Sequence, residues 1–127
     1  PMICANPDKE IVRQDGVHAL CAGVIAEAYE KMGGQVTYFG KPHSEIYQFI
    51  FEKLQVNPNQ AIAVGDNLET DIRGANTLGI YSVIITGGVL SHIFSLAPGQ
   101  LPEKSALAAL CKKHRVKPDA VMASFIA

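Results

Sequence analysis

The chain has 127 residues, of which 48% are hydrophobic and 18% are charged, and its formal net charge is -1. This composition is typical of one compact globular chain and excludes a disordered tail. A net charge near zero argues against a nucleic-acid partner, because binding to a phosphate backbone needs a surplus of Lys and Arg. No apolar run has the roughly eighteen residues that a membrane-spanning helix needs, so no membrane partner is expected.

Cysteine usage indicates a reducing compartment. The chain has three cysteines, an odd number, and no CxxC pair. Its first ten residues, PMICANPDKE, show neither the basic region nor the apolar stretch of a signal peptide. Free thiols in the cytoplasm are therefore expected, and a structural zinc site is not.

The first part of the chain predicts two strands and two helices. Residues 2–5 and 35–39 favour short strands. Apolar residues at helical spacing predict a helix over 18–32, which Gly33 and Gly34 end. After Pro42 a second helix is expected, with one apolar face made of Ile46, Phe49, Ile50 and Leu54.

From residue 61 onward the alternation of strands and helices is more regular. Residues 61–64 predict a buried strand, and a short helix capped by Thr70 and ended by Gly79 follows. The β-branched run at 80–86 predicts a central strand. A helix from Pro102 to about His114 and a last strand at 119–124 complete the pattern.

Apolar strands separated by helices predict an α/β fold, with a parallel sheet covered by helices on both faces. The carboxyl ends of parallel strands share one edge, where ligands bind in open α/β sheets. Three strands of this chain are followed there by polar or glycine-rich turns, namely Gly40-Lys41-Pro42, Gly65-Asp66-Asn67 and Gly87-Gly88. We expect these turns to converge at a single edge.

Asp66 and Asp71 are the candidate metal ligands. One or two carboxylates suffice for Mg²⁺, which takes oxygen ligands and keeps several waters. The alternative is that Asp66 forms a turn and that Asp71 interacts with a helix N-terminus. For Asp71 the two interpretations stay open, whereas the position of Asp66 after Gly65 at a strand end favours the ligand role.

Lys41 is the candidate for charge neutralisation, because a lysine at a strand end acts as a point charge on a phosphate or a carboxylate. Its alternative is a solvated loop residue. Gly87-Gly88 would let backbone amides approach an anion, although such a pair is also common in loops. The four histidines share no metal-ligand spacing.

Two segments carry a family resemblance. YFGKPHSEIY (38–47) and AVGDNLETDIRGANTLGI (63–80) resemble the third and fourth motifs of the haloacid dehalogenase-like hydrolases. The likeness is to class IIA, the phosphatases of the p-nitrophenyl-phosphatase and nucleotidase type. ICANPD (3–8) and CAGVIAEAYEKMGG (21–34) resemble the end of the α/β cap of that class.

The resemblance implies a fold, a function and residue roles. Residues 1–36 would be the end of the cap and 37–127 the C-terminal part of a Rossmann-like core. The function would be Mg²⁺-dependent hydrolysis of a small phosphorylated metabolite through an aspartyl-phosphate. Lys41 would steady the nucleophile and the phosphoryl group. Asp66 would bind Mg²⁺ directly and Asp71 directly or through water, while Asn6 would face the substrate.

The chain departs from the family in one respect. The nucleophile of the family lies in a DxDx[TV] motif, and no two of the five Asp residues here have DxD spacing. With Pro1 in place of an initiator Met, this predicts a C-terminal portion that is inactive alone and whose partner is the N-terminal half of the same enzyme or a second copy. The alternative is a non-catalytic α/β module that binds a phosphorylated ligand or a partner chain. A receiver-like signalling domain is disfavoured, since receivers place the lysine after their acids.

Overall fold

The computed structural model of the chain describes residues 1–12 and 17–125. These residues belong to two compact units, Pro1–Ile50 and Phe51–Ala127, and the division falls within a helix. The domain limits expected from the sequence, 1–36 and 37–127, stay a prediction. Within the described ranges no helix is both long enough and apolar enough to cross a membrane.

The first unit is built on a strand–helix–strand connection. Strand β1 (Met2–Cys4) pairs in parallel with β4 (Val36–Tyr38), and α1 (Ala22–Lys31) lies between them in the chain. Strands β2 (Glu10–Val12) and β3 (His18–Leu20) form an antiparallel pair. The unit ends within α2 (Ser44–Leu54).

The second unit holds a three-stranded parallel sheet in the order β5 (Ile62–Gly65), β6 (Tyr81–Ile85) and β7 (Ala120–Met122). Between β5 and β6 the chain forms one turn of π-helix, Leu68–Ile72, and continues into α3 (Arg73–Leu78). Helices α4 (Val89–Phe94) and α5 (Lys104–His114) come between β6 and β7 in the chain. A 3₁₀ turn, Pro58–Gln60, precedes β5.

A buried apolar cluster holds the helices of the second unit against its central strand. Its members come from the π-helical turn, from β6, α4 and α5, and from the residue that follows α5 by two positions: Leu68, Ile72, Ile84, Leu90, Leu107, Cys111 and Val116. At about 25 cal/mol per Å² of buried apolar surface, such a cluster is the main source of stability in a small α/β unit. Leu68 and Ile72, which flank Asp71 in the sequence, therefore hold the π-helical turn against this cluster.

The expected α/β class with parallel strands is confirmed. The carboxyl ends of β5 and β6 share an edge as expected, and β6 is the central strand. The expectation that the strand before Lys41 belongs to the same sheet is wrong, because β4 pairs with β1. Strand pairing depends on backbone hydrogen bonds between distant segments, which the local pattern of a three-residue strand does not specify.

Two helix starts differ from expectation, and one helix was not predicted. The helix expected from His18 begins at Ala22, because His18–Leu20 forms hydrogen bonds with β2 instead. The helix expected to be capped by Thr70 begins at Leu68 and is capped by Asn67, whose side chain accepts the amide of Glu69. Helix α4 was not anticipated, since six residues are too few for a clear apolar period.

Asp119 joins the start of β7 to β6. One oxygen of its carboxylate accepts the backbone amide of Ser82 at 2.8 Å and the Ser82 hydroxyl at 3.0 Å. Ser82 is fully buried. These hydrogen bonds from Ser82 hold the pKa of Asp119 below its ordinary value of 3.8.

A carboxylate whose pKa is lowered in the folded state stabilises the fold above the pKa of the unfolded chain, and this contribution disappears as the pH falls through the folded pKa. We therefore expect Asp119→Asn to reduce the loss of stability below about pH 4, measured by urea unfolding at several pH values. Glu103→Gln, which neutralises an exposed carboxylate in the same unit, is the control. Equal acid sensitivity of wild type and Asp119→Asn would contradict this role.

Candidate metal and phosphate site

The loop after β5 brings the two candidate metal ligands together. Asn67 begins the π-helical turn, and its carbonyl oxygen accepts the amides of Asp71 at 3.1 Å and of Ile72 at 3.2 Å. This bifurcated hydrogen bond directs the Asp71 side chain back toward the end of the strand. Asp66 and Asp71, which are five residues apart in the sequence, are thus brought into direct contact.

Asp71 is buried, with 7% of its surface exposed. Its Oδ2 accepts the backbone amides of Asp66 and Asn67, each at 3.1 Å. Two amide donors offset much of the cost of burying a carboxylate. A Cβ atom at Gly65 would overlap this carboxylate, so only glycine leaves room for it at that position.

Asp66 is more accessible and is held differently. Its Oδ2 accepts the backbone amide of Val89, the first residue of α4, at 3.0 Å. A Cβ atom at Gly88 would overlap the same oxygen. Gly88 therefore leaves room for the Asp66 carboxylate to reach the Val89 amide.

A cavity of about 540 Å³ opens at the carboxyl ends of the three parallel strands. Its lining comes from the ends of β5 and β6 and from the two residues at the far end of the β7 segment: Val64, Gly65, Asp66, Ile85, Gly87, Gly88, Ser124 and Phe125. Asp66 is the one carboxylate among these residues. The strand-edge position expected of a ligand site in a parallel α/β sheet is thereby present.

The residues at this site fit a divalent cation. Asp66 lines the cavity, and the hydrogen bond from the Val89 amide engages only one of its two carboxylate oxygens, Oδ2. In residues 1–12 and 17–125 no group of three or more His, Cys, Asp or Glu side chains is suited to a metal ion. A cation here would have at most two protein carboxylates, with water and substrate oxygens as further ligands. Mg²⁺ is commonly bound in this way.

Lys41 and Asn6 lie in the first unit. They follow β4 and β1, two parallel strands whose ends are joined by a hydrogen bond from the Phe39 amide to the Cys4 carbonyl at 2.7 Å. Asn6 is exposed, and its side-chain oxygen accepts the amide of Asp8 at 3.1 Å, as in an Asx turn.

The turn that carries Lys41 is supported by an aromatic contact. The rings of Tyr38 and His43 stack at a centroid distance of 5.0 Å, and the His43 amide donates to the Gly40 carbonyl at 2.9 Å. The Tyr38 hydroxyl donates to Glu30 at 2.7 Å, and this hydrogen bond raises the pKa of Tyr38 to about 12. The backbone on both sides of Lys41 is therefore tied to α1 and β4.

Sequence reasoning missed the donors that hold the two acids. They are backbone amides, which every residue type except proline carries, so residue identity does not reveal them. The available signal was the presence of glycine at 65 and 88, where no turn conformation with positive φ requires it. Gly65 and Gly88 are needed because a side chain there would overlap a carboxylate, and not because the backbone there has a positive φ.

Comparisons with known proteins agree with this geometry. A family model described as HAD-hydrolase-like matches residues 38–125. The chain is 35% identical over 90 residues to the ribonucleotide monophosphatase NagD of Escherichia coli K12, covering 70% of this chain and 34% of NagD. It is 37% identical over 78 residues to mouse chronophin, covering 61% of this chain and 27% of chronophin.

Solved structures show the same relationship. A p-nitrophenyl phosphatase from Archaeoglobus fulgidus superposes with a TM-score of 0.70 at 25% identity, covering 96% of this chain and 42% of that one. A haloacid dehalogenase-like hydrolase from Brucella suis 1330 gives a TM-score of 0.69 at 26% identity, covering 98% and 44%. The chain belongs to the haloacid dehalogenase-like hydrolases, and within them to class IIA. It spans about a third or less of the length of these curated relatives.

Asp71→Ala tests the role of the buried carboxylate. It leaves the amides of Asp66 and Asn67 without their acceptor, and we expect the free energy of unfolding to fall by about 1–3 kcal/mol. Asp71→Asn keeps an oxygen acceptor and should cost less. Urea denaturation measures both. A stability of Asp71→Ala equal to that of wild type would show that the two hydrogen bonds contribute nothing.

Proposed function

We propose that the chain is the C-terminal part of a Mg²⁺-dependent phosphatase that acts on a small phosphorylated metabolite through an aspartyl-phosphate. Membership of class IIA supports this, as do the names of its relatives, which include NagD, chronophin and human glycerol-3-phosphate phosphatase. The single observation that carries the proposal is the Asp66 carboxylate, which lines a strand-edge cavity beside the anchored Asp71.

In this proposal each site residue has one task. Asp66 ligates Mg²⁺ directly, whereas Asp71 either ligates it or contacts it through water, and holds the loop in either case. When bound, Mg²⁺ neutralises charge on the phosphoryl oxygens. Lys41 adds a positive charge that steadies the nucleophile and the phosphoryl group. Asn6 contributes to substrate binding from the end of the cap, which residues 1–36 represent.

The nucleophile belongs to an upstream half of the enzyme in this proposal. Its carboxylate oxygen attacks phosphorus while the bond to the leaving oxygen breaks, and water then cleaves the aspartyl-phosphate to release phosphate and restore the carboxylate. The lack of a DxD pair here and the greater length of the relatives support this partner. Strand β5 is an edge strand of the described three-stranded sheet. Its residues Ile62 and Val64 are 64% and 42% exposed, as expected of a surface that another segment covers. A second copy of the chain is the alternative partner.

The three cysteines are free thiols, which supports the cytoplasmic location that the proposal includes. The rival function is a non-catalytic α/β module that binds a phosphorylated ligand or a partner chain, and the same lack of a DxD pair favours it. The two functions differ in turnover, because a binding module releases no phosphate even when the upstream half is supplied.

Asp66→Asn in the complete enzyme should abolish Mg²⁺-dependent phosphate release, because a neutral amide binds Mg²⁺ more weakly than a carboxylate does. Phosphate release from p-nitrophenyl phosphate, with and without EDTA, is the measurement. The 127-residue chain alone should release none. Activity retained by Asp66→Asn would refute the metal assignment, and lack of turnover by the complete enzyme would favour the binding module.

Lys41→Met in the complete enzyme should lower kcat by about 100-fold or more, since it removes a charge that stabilises the transition state. Lys53→Met, which removes an exposed lysine at the end of α2, is the matched control. A similar small effect of both substitutions on kcat would show that Lys41 is a solvated loop residue.

A further inference from the structure

The hydrogen bond from the Val89 amide to Asp66 links two segments that are 23 residues apart in sequence. Asp66 follows β5, whereas Val89 follows the neighbouring strand β6 and begins α4. The backbone at Gly88 passes so close to the Asp66 carboxylate that a side chain there would displace it. Asp66 is thus fixed both by a donor and by the shape of the neighbouring loop.

Such a contact affects the ability of a carboxylate to bind a cation. A free Asp side chain must lose rotational freedom when it binds a metal ion, whereas a side chain that is already held loses less. The Val89 amide engages Oδ2, one of the two oxygens of a carboxylate that lines the cavity. Groups that orient metal ligands typically change metal affinity by about 10-fold to 100-fold when they are removed.

We propose that Gly88 and the backbone amide of Val89 form a positioning device that holds Asp66 in the orientation needed to bind a divalent cation. This inference rests on the metal site of the proposed function. It assigns a specific task to Gly88, which the motif resemblance left without a role. Val89 acts through Asp66 and is a positioning residue.

Proline at position 89 removes the backbone amide that donates to Asp66 and should change little else in the structure. Val89 is the first residue of α4, where proline is accommodated because its fixed φ suits the first helical turn. The Val89 side chain is 44% exposed, so its replacement should disturb the core little. Lys104→Pro is the matched control, since it also places proline at the first position of a helix in the same unit, α5.

The test compares Mg²⁺ affinity by isothermal titration calorimetry for wild type, Val89→Pro, Lys104→Pro and Asp66→Asn, each as the full 127-residue chain. We expect Val89→Pro to raise the Kd for Mg²⁺ about 10-fold and Lys104→Pro to leave it within about twofold of wild type. Val89→Ala keeps the amide and should weaken binding less than Val89→Pro. Urea unfolding of the same proteins separates a loss of affinity from a loss of stability.

The outcomes distinguish the positioning device from the metal site itself. If wild type and Asp66→Asn bind Mg²⁺ equally, Asp66 is not a metal ligand, and the proposed positioning role of Gly88 and Val89 is refuted as well. If Asp66→Asn weakens binding but Val89→Pro matches Lys104→Pro, the site stands and the device is refuted.

A second measurement tests the proposal even if the Val89→Pro protein does not fold. Hydrogen exchange of the Val89 amide should be slow in wild type and at least about 10-fold faster in Asp66→Ala, which removes the acceptor. Equal exchange rates in the two proteins would show that the hydrogen bond does not form, and would overturn the proposal.

Discussion

The hydrogen bonds between backbone amides and the two carboxylates are the interaction on which the candidate site depends. The amides of Asp66 and Asn67 fix the buried side chain of Asp71, and this contact sets the path of the chain as it leaves β5. The Val89 amide then fixes Asp66 from the neighbouring strand. Without these donors, two acids so close together would repel each other and leave the strand end poorly defined.

The parallel sheet explains why such an arrangement is possible. Strands β5 and β6 run in the same direction, so their following loops meet at one edge, where the Val89 amide after β6 reaches the Asp66 side chain after β5. The apolar cluster behind the sheet holds the π-helical turn and α4 through Leu68, Ile72 and Leu90. Burial of apolar surface thereby provides the energy that keeps the polar groups of the edge in place.

The proposed phosphoryl transfer depends on charge neutralisation and positioning more than on covalent chemistry by the protein. The second unit offers an accessible carboxylate at a cavity and a second, buried carboxylate whose Oδ2 accepts two backbone amides. The first unit carries Lys41 on a turn tied to its strands by the stacked rings of Tyr38 and His43. Relatives of greater length contain this region as one part of a phosphatase.

The α/β class, the strands before Asp66 and Gly87, and the family could be predicted from the amino-acid sequence, because apolar runs and the GDN and GKP motifs are local properties of the chain. The folded structure was needed to show that β4 pairs with β1, that residues 18–20 form a strand, and that Asp71 is buried beneath the Asp66 loop. It also revealed Val89 as a partner of Asp66. These features depend on hydrogen bonds from backbone amides, which any residue type except proline can form, so residue identity does not reveal them.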